Sequence, residues 1–282
     1  MNLYDFNTIN RILTSHGFTF SKALGQNFII DSEVCPEMAS HLAANDKTGV
    51  IEIGPGIGVL TKELCRVAGK VIAIELDKRL FPVLDETLSE FSNLEIIEGD
   101  ALKLDLNALI AEKFSDMSSV KVCANLPYYI TSPVIMTLLE SKLTIEEIVV
   151  MVQKEAAERF CAEIGSRNSG AVTVAVNYYA DAEMLFEVPK NCFHPAPKVD
   201  SAVMKLTLRD KPPIDVKDER HFFTVVKAAF AQRRKTALNC LSNGLGISKN
   251  QVLSALNTIG KNEKSRAENF TLEEFAKLSE LI

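Results

Sequence analysis

The feature that most constrains the fold is a set of closely spaced glycines directly after an apolar segment. Val50–Ile53 is apolar except for Glu52, and it leads into Gly54, Gly56 and Gly58. Glycines at this spacing let the chain turn sharply after a strand and approach a ligand closely, because no Cβ atom stands in the way. The segment therefore predicts a buried strand, a ligand-binding loop and a following helix.

Short apolar runs alternate with amphipathic stretches through the first part of the chain, a pattern typical of βαβ units and a parallel sheet. The runs predict strands at Val50–Ile53, Lys70–Ile74, Leu94–Glu98, Val120–Ala124 and Ile148–Val152. Helical spacing predicts helices at Leu60–Val67, Leu80–Phe91 and Lys154–Cys161. Ala171–Tyr179 fits either structure, because its Val and Tyr residues favour a strand while its apolar spacing fits a helix.

The composition changes after Leu208. Lys211-Pro212-Pro213 predicts a linker, since proline continues neither a helix nor a strand. Helices are predicted beyond it at Glu219–Leu241, Asn250–Ile259 and Leu272–Leu281, with Thr271 and Glu274 in capping-box spacing at the last. We expect two domains: an α/β domain with a mainly parallel sheet over residues 1–209, and a small all-helical C-terminal domain over residues 210–282.

Acidic side chains at successive strand ends distinguish between the ligands that a glycine loop can bind. Dinucleotide sites use G-x-G-x-x-G beside a pyrophosphate, whereas the spacing here is G-x-G-x-G. Glu52 would repel a pyrophosphate but attract a methionyl ammonium or a sulfonium group. Glu75 can accept hydrogen bonds from ribose hydroxyls, although its position alone does not separate NAD from S-adenosylmethionine, because both contain an adenosine ribose. Asp100 can accept a hydrogen bond from the adenine amine. Together these residues predict S-adenosylmethionine as the cofactor.

Asn125-Leu126-Pro127-Tyr128 follows the fourth predicted strand and is the candidate catalytic motif. The amide oxygen of Asn125 and a neighbouring backbone carbonyl can each accept a hydrogen bond from an exocyclic amine, which directs the nitrogen lone pair at a methyl group. Pro127 fixes the backbone, and Tyr128 can stack on a base taken out of its helix. The motif predicts methylation of an aromatic amine, in which alignment supplies most of the acceleration.

Phe193–Ser201 is a proline-rich segment that predicts a stiff, exposed loop. Phe193 could stack on the second face of an extracted base, and Lys198 is placed to meet a phosphate. His194 has no matching partner in the sequence, so we assign it no catalytic role.

The distribution of charge matters more than the net charge of −6. Glu75–Asp116 holds eleven Asp or Glu against four Lys or Arg, whereas Lys198–Lys235 holds ten Lys or Arg against five Asp or Glu. The second stretch ends in Arg233-Arg234-Lys235, where a basic surface in an acidic protein could contact nucleic acid. Such a stretch alone is also typical of a solvated helix face.

The cysteine pattern and the hydropathy of the chain indicate the cellular compartment in which the protein is expected. The six cysteines form no CxxC pair and have no His-rich neighbours, so we expect reduced intracellular thiols and no metal site. The apolar stretches are too short for a membrane span, and the first residues lack the apolar core of a secretory signal. A cytoplasmic protein without a membrane partner is expected.

Together these motifs resemble those of the ribosomal RNA adenine dimethyltransferases, and the match runs nearly end to end. Ser21–Phe28 looks like the family's N-terminal cofactor-binding segment, and the later motifs follow in order as Val50–Gly58, Glu75, Gly99-Asp100-Ala101, Asn125–Tyr128 and Phe193–Ser201. The segment Phe230–Thr236 is similar to the corresponding segment of the family branch that acts on small-subunit rRNA. This segment separates the chain from the antibiotic-resistance branch, which acts on large-subunit rRNA.

The resemblance implies a Rossmann-like methyltransferase fold, with Ala171–Tyr179 as a helix, and it assigns the site residues. By resemblance, the residues that contact S-adenosylmethionine would be Asn27, Ile29, Gly54, Glu75, Asp100 and Asn125. Glu52, Gly56 and Ala101, which lie in the same motifs, complete the predicted cofactor-binding set. The catalytic residues would be Asn125, Leu126, Tyr128 and Phe193, of which Tyr128 and Phe193 would hold the target base. The predicted RNA-binding residues, chosen for their positive charge and their placement, are Lys22, Lys198, Arg233, Arg234 and Lys235.

The resemblance also implies a reaction and a partner. Small-subunit members of the family convert two adjacent adenosines, in a hairpin near the 3′ end of 16S rRNA, to N6,N6-dimethyladenosine during subunit biogenesis. The expected partners are therefore 16S rRNA and the immature small ribosomal subunit, and we expect the chain to act as a monomer.

Two other functions remain open on the sequence. An NAD-dependent dehydrogenase would need the third glycine one residue later and a hydride-transfer partner, which we do not find. A non-enzymatic RNA-binding or ribosome-assembly module would not need an intact Asn125–Tyr128 motif, although the motif does not exclude a second, structural role.

Overall fold

The computed structural model describes residues 1–18 and 27–282, which form two compact units. The first comprises Met1–Ala157 and Glu183–Leu208, and the second Glu158–Ala182 and Arg209–Ile282. In the described residues the helices α1 to α12 are Phe6–Ser15, Val34–Ser40, Val59–Val67, Phe81–Thr87, Leu106–Lys113, Thr131–Glu140, Lys154–Phe160, Ala171–Tyr179, Glu219–Ala229, Ala237–Leu245, Lys249–Thr258 and Leu272–Leu281. The strands β1 to β9 are Phe28–Ile29, Thr48–Ile53, Lys70–Glu75, Leu94–Glu98, Ser119–Asn125, Glu147–Gln153, Ala180–Val188, Phe193–His194 and Ser201–Leu208.

The main sheet has seven strands in the order β4-β3-β2-β5-β6-β9-β7. Strands β4, β3, β2, β5 and β6 are parallel, and β9 runs antiparallel to β6. All six residues of β2 are buried, as expected where helices cover both faces of a parallel sheet, and the strand is mostly apolar although it includes Thr48 and Glu52. The predicted mainly parallel α/β fold and its five strands are confirmed.

Parallel pairing brings the acidic strand ends to one edge of the sheet. Ile53 lies beside Ile74, and Glu75 lies beside Glu98. Asn125 ends β5 on the other side of β2 and pairs with Met151. The segments that follow β2, β3, β4 and β5 therefore start from the same edge, where ligands of open α/β sheets bind.

Side-chain caps define where several helices begin. Asp5, Asp105 and Asp218 each accept a hydrogen bond from a backbone N–H in the first turn of α1, α5 and α9. At α12 the predicted capping box is present: the Thr271 N–H donates to Glu274 Oε2 at 2.8 Å, and the Glu274 N–H donates to Thr271 Oγ1 at 3.2 Å.

The helix predicted over Glu219–Leu241 is wrong, because two helices cover this stretch. Helix α9 ends at Ala229, and α10 begins at Ala237 with Thr236 as its N-cap. Residues 231–235 are all exposed, and four of them are polar or charged, so the apolar spacing that would hold a continuous helix on the core is lost there. The basic triplet of Arg233, Arg234 and Lys235 consequently lies on the turn between α9 and α10.

The first domain was expected to be continuous to residue 209, but Glu158–Ala182 belongs to the second compact unit. Within that unit the Tyr178 ring lies 5.5 Å from the ring of Phe222 and 5.3 Å from that of Phe223. These aromatic contacts attach α8 to α9. Ala171–Tyr179 is a helix, as the family resemblance implied.

A separate two-stranded sheet was not predicted. Strands β1 and β8 pair antiparallel, with Phe28 opposite His194 and Ile29 opposite Phe193. The pairing joins the segment after residue 27 to the loop that carries Phe193, and both therefore border the same edge of the main sheet. Among the described helices, none has the length and apolar character that crossing a membrane requires.

Candidate active site

An open cavity lies at the carboxyl ends of β2, β3, β4 and β5, with β1 and β8 on one side. Every residue predicted to bind the cofactor or to act in catalysis lines it. These are Asn27, Ile29, Glu52, Gly54, Gly56, Glu75, Asp100, Ala101, Asn125, Leu126, Tyr128 and Phe193. The individual roles of these residues remain predictions, but the structure places all of them around a single cavity.

The glycine loop has the backbone that its sequence predicts. The φ angles of Gly54, Gly56 and Gly58 are 72°, 61° and 89°, in the left-handed region that side chains other than glycine's rarely adopt. A Cβ atom on Gly56 would lie 3.2 Å from the Phe28 ring, and one on Gly58 would lie 2.9 Å from Leu88. Around Gly54 a Cβ would meet nothing within 4 Å, so the chain leaves open space beside this backbone.

Glu75 connects the glycine loop to the end of β3. Its Oε1 accepts a hydrogen bond from the Asp77 N–H at 2.7 Å, and its Oε2 accepts a long one from the Gly56 N–H at 3.4 Å. The residue is buried, and burial raises the pKa of its carboxyl above the ordinary value. Each oxygen of a carboxylate has two lone pairs, so Glu75 can still accept hydrogen bonds from a diol.

Glu52 is a buried carboxyl that borders the cavity, with only 1% of its surface exposed. Its Oε2 atom has no hydrogen-bond partner in the part of the chain that the structure describes. Burial, with a smaller contribution from the negative charge of Glu75, raises the pKa of Glu52 to about 8. An unpaired carboxyl oxygen in this position fits a ligand that carries a cationic or hydrogen-donating group, as S-adenosylmethionine does.

The raised pKa of Glu52 predicts a pH-dependent stability. A carboxyl whose pKa is higher in the folded protein favours folding most below pH 4.5, and this contribution is lost as the pH rises towards 8. Glu52→Gln keeps the shape and removes the ionisation, so it should raise the melting temperature more at pH 8.5 than at pH 5.5. We expect a difference of several degrees, since about 1 kcal/mol corresponds to roughly 2–4 °C in a protein of this size.

The control for this measurement is Glu63→Gln in the adjacent helix α3. Glu63 is also buried, but it pairs with Arg66 at 2.7 Å, so its loss should lower the melting temperature. An equal effect of Glu52→Gln at the two pH values would show that the Glu52 carboxyl does not carry this penalty.

Asp100 lies in the loop after β4 and is held by its own backbone. Its Oδ1 accepts a hydrogen bond from the Leu102 N–H at 3.0 Å, and its Oδ2 lies 3.3 Å from the Lys103 Nζ. The side chain is partly exposed towards the cavity, so its remaining lone pairs can accept from an amine of a ligand.

The Asn125–Tyr128 motif is fixed at both of its ends. The Leu126 N–H donates to the Met151 carbonyl at 3.1 Å, and the Leu126 side chain is buried. The Tyr128 hydroxyl is 2.7 Å from Ser201 Oγ. Burial raises the pKa of Tyr128, so its phenol stays protonated at neutral pH and does not act as a base.

Phe193 is buried and occupies β8, where it lines the cavity. Lys198 is exposed and is not part of the cavity lining. Arg233, Arg234 and Lys235 are exposed in the second unit. Lys22, the remaining predicted RNA contact, lies outside the described residues together with most of the Ser21–Phe28 segment.

Two large, exposed residues that line the cavity, Leu76 and Tyr129, are not among the predicted site residues. Leu76 directly follows Glu75 and is 52% exposed, and Tyr129 directly follows Tyr128 and is 55% exposed. Each directly follows a predicted site residue. A large apolar or aromatic side chain in the loop after such a residue is the sequence signal that could have identified Leu76 and Tyr129.

Comparison with known proteins gives a consistent result. Residues 17–282 match the family model described as ribosomal RNA adenine dimethylase. The chain is 49% identical over 274 residues to the ribosomal RNA small subunit methyltransferase A of Geobacillus thermodenitrificans, covering 96% of this chain and 94% of that one. It is 46% identical over 284 residues to the protein of the same description from Bacillus mycoides, covering 99% and 97%.

Solved structures give the same picture of the fold. A dimethyladenosine transferase from Plasmodium falciparum has a TM-score of 0.71 and 28% identity, covering 89% of this chain and 95% of that one. The 23S rRNA methyltransferase ErmE has a TM-score of 0.65 and 26% identity, covering 90% and 98%.

Proposed function

Because the chain belongs to the ribosomal RNA adenine dimethylase family, we propose that it transfers methyl groups from S-adenosylmethionine to N6 of adenosines in the RNA of the small ribosomal subunit. The observation that carries this proposal is the single cavity that is lined by Glu75, Asp100 and Asn125 together. The predicted cofactor follows from the family, and the family excludes the dehydrogenase alternative.

The cofactor-holding residues each meet a different chemical group. All three acidic residues line the cavity. Glu75 would accept hydrogen bonds from the ribose hydroxyls, Asp100 would accept one from the adenine amine, and Glu52 would face the positively charged methionyl end. The left-handed backbone at Gly54 and Gly56 leaves space for a close approach. When bound, S-adenosylmethionine supplies an electrophilic methyl group on a sulfonium centre.

The acceptor residues align the amine of the target base. Asn125 accepts a hydrogen bond from the N6 amine through its amide oxygen, and the Leu126 segment supplies a backbone carbonyl as the second acceptor. Tyr128 and Phe193 hold the two faces of the base. The proton lost from N6 passes to water, because none of these side chains is a base at neutral pH.

The proposed substrate is a pair of adjacent adenosines in a hairpin near the 3′ end of 16S rRNA, which would become N6,N6-dimethyladenosine. The names of the similar bacterial proteins, which specify the small subunit, support this choice over large-subunit RNA. The proposal includes the immature small ribosomal subunit as partner, a cytoplasmic location and a monomeric enzyme.

The test is methylation of immature small subunits with tritiated S-adenosylmethionine, followed by nucleoside analysis of the RNA. We expect label in N6,N6-dimethyladenosine from 16S rRNA and none from large subunits. Sedimentation of the enzyme at the assay concentration gives its oligomeric state. RNA binding without any incorporation of label would instead support the alternative of an assembly module without catalytic activity.

The basic triplet of Arg233, Arg234 and Lys235 is proposed to contact RNA phosphates. Changing all three to glutamine should weaken RNA binding and flatten its salt dependence, because each neutralised phosphate releases counterions. Each phosphate that the variant no longer neutralises lowers the slope of log Kd against log salt concentration by about 0.7–0.9. The loss of three such contacts should therefore lower the slope by roughly 2 to 3.

A matched variant tests whether any three positive charges of the second unit have this effect. Lys249, Lys264 and Lys277 are also exposed there, and their change to glutamine alters the net charge equally. If both variants changed the slope by the same amount, the triplet would be only part of a general electrostatic attraction.

A further inference from the structure

Tyr129 is an aromatic residue of the cavity to which the proposed reaction assigns no part. It is 55% exposed, and it lines the same cavity as Asn125, Tyr128 and Phe193. Among the residues that the structure describes, none stacks on the Tyr129 ring or forms a hydrogen bond with its hydroxyl. An aromatic ring that is exposed at the edge of a binding cavity offers a face on which a nucleobase can stack.

Its neighbour Tyr128 has a different environment. The Tyr128 hydroxyl is held by Ser201 at 2.7 Å and its ring is partly buried. The Cα atoms of consecutive residues are about 3.8 Å apart, and both tyrosines line the same cavity. The two tyrosines thus form one fixed ring inside the cavity and one exposed ring at its edge.

We infer that Tyr129 stacks on the nucleobase next to the adenosine that enters the cavity, and so positions the RNA strand. This inference rests on the proposed function, since it takes an RNA base as the occupant of the Tyr128 and Phe193 site. Tyr129 is a positioning residue in this account, because it touches the neighbouring nucleotide and not the reacting atoms.

The chemistry of the substrate supports this role. A base taken into the cavity remains joined to the next nucleotide through one phosphodiester, so that neighbour must lie near the edge of the cavity. Aromatic rings stack on any base without needing a particular sequence. Residues 122–139, which surround Tyr129 in the sequence, contain no Asp or Glu, so this segment does not repel the phosphate backbone although the whole chain is acidic.

The experiment compares Tyr129→Ala with Tyr129→Phe. The RNA is a synthetic hairpin that carries the two adjacent adenosines of the 16S sequence, and its affinity is measured with S-adenosylhomocysteine present. Tyr129→Ala should raise the Kd for RNA roughly 5- to 150-fold, the range for one base–aromatic stack, while Tyr129→Phe stays close to wild type. The KM for RNA should rise in parallel with little change in kcat.

Abasic RNAs identify the contact. Each hairpin lacks one base beside the target adenosine. When the missing base is the one on which Tyr129 stacks, wild type and Tyr129→Ala should bind the RNA with equal affinity. A Tyr129→Ala effect that persisted in every abasic RNA, or that was absent from the intact RNA, would overturn the inference. A matching loss of S-adenosylhomocysteine affinity would also overturn it, because Tyr129 would then serve the cofactor.

This experiment separates the inference from the proposed function. RNA affinity reports on Tyr129, whereas incorporation of label by the wild-type enzyme reports on methyl transfer. Wild-type protein that binds the hairpin through Tyr129 but never methylates rRNA would contradict the function and leave the stacking contact standing.

Discussion

Asn125→Ala should lower kcat for methyl transfer by roughly 100- to 1,000-fold while the affinity for RNA changes little. The amide oxygen of Asn125 is placed to accept a hydrogen bond from the target amine as positive charge develops on its nitrogen. A hydrogen-bonding group aimed at a charge that exists only in the transition state contributes to kcat and not to substrate binding. Single-turnover methylation and RNA binding, measured on the same variant, separate the two effects.

Two variants make this result specific. Asn125→Asp keeps an accepting oxygen and should retain more activity than the alanine variant. Asn107 is exposed and does not line the cavity, and its amide donates to the Ser141 carbonyl at 3.0 Å. The Asn107→Ala variant should therefore methylate at the wild-type rate. Label transfer at the wild-type rate by Asn125→Ala would show that the transfer site lies elsewhere.

Glu75→Gln should raise the Kd for S-adenosylhomocysteine roughly 10- to 150-fold, since hydrogen bonds to a charged group are worth about 1.5–3 kcal/mol. Glutamine keeps one oxygen for the Asp77 N–H but presents an NH₂ group where the second carboxylate oxygen was. Burial raises the pKa of Glu75, so removing the charge should not destabilise the fold. Calorimetric titration measures the affinity, and thermal unfolding checks the fold.

The matched control is Glu98→Gln, one strand away. Glu98 lies directly beside Glu75 in the register of β3 and β4, but it pairs with Lys78 at 2.6 Å on the surface and is not part of the cavity lining. The affinity of the Glu98→Gln variant for S-adenosylhomocysteine should match that of the wild type. Equal losses in both variants would mean that the acidic edge acts only through its overall charge.

Much of the site could be predicted because parallel strands order it. With Val50–Ile53, Lys70–Ile74 and Val120–Ala124 as strands of one sheet, their carboxyl ends have to meet at one edge. Glu75, Asp100 and Asn125 are therefore expected together from the sequence alone, and they line one cavity. The helix boundaries that depend on side-chain caps, such as Thr271 with Glu274, are local enough to predict as well.

Two of the features that were missed depend on distant contacts. Strands β1 and β8 have two residues each, which is too short to show alternation, and their pairing joins segments more than 160 residues apart. The contacts of Tyr178 with Phe222 and Phe223, which attach α8 to the C-terminal helices, likewise leave no local pattern. The break between α9 and α10 was missed because the basic turn interrupts a helical spacing that resumes at Ala237.

Determining the crystal structure of the protein with S-adenosylhomocysteine tests the central claim most directly. We expect the ribose hydroxyls within hydrogen-bond distance of Glu75, the adenine amine at Asp100, and the sulfur atom facing the side chain of Asn125. A cofactor bound in a different cavity, or one with its sulfur turned away from Asn125, would contradict the account.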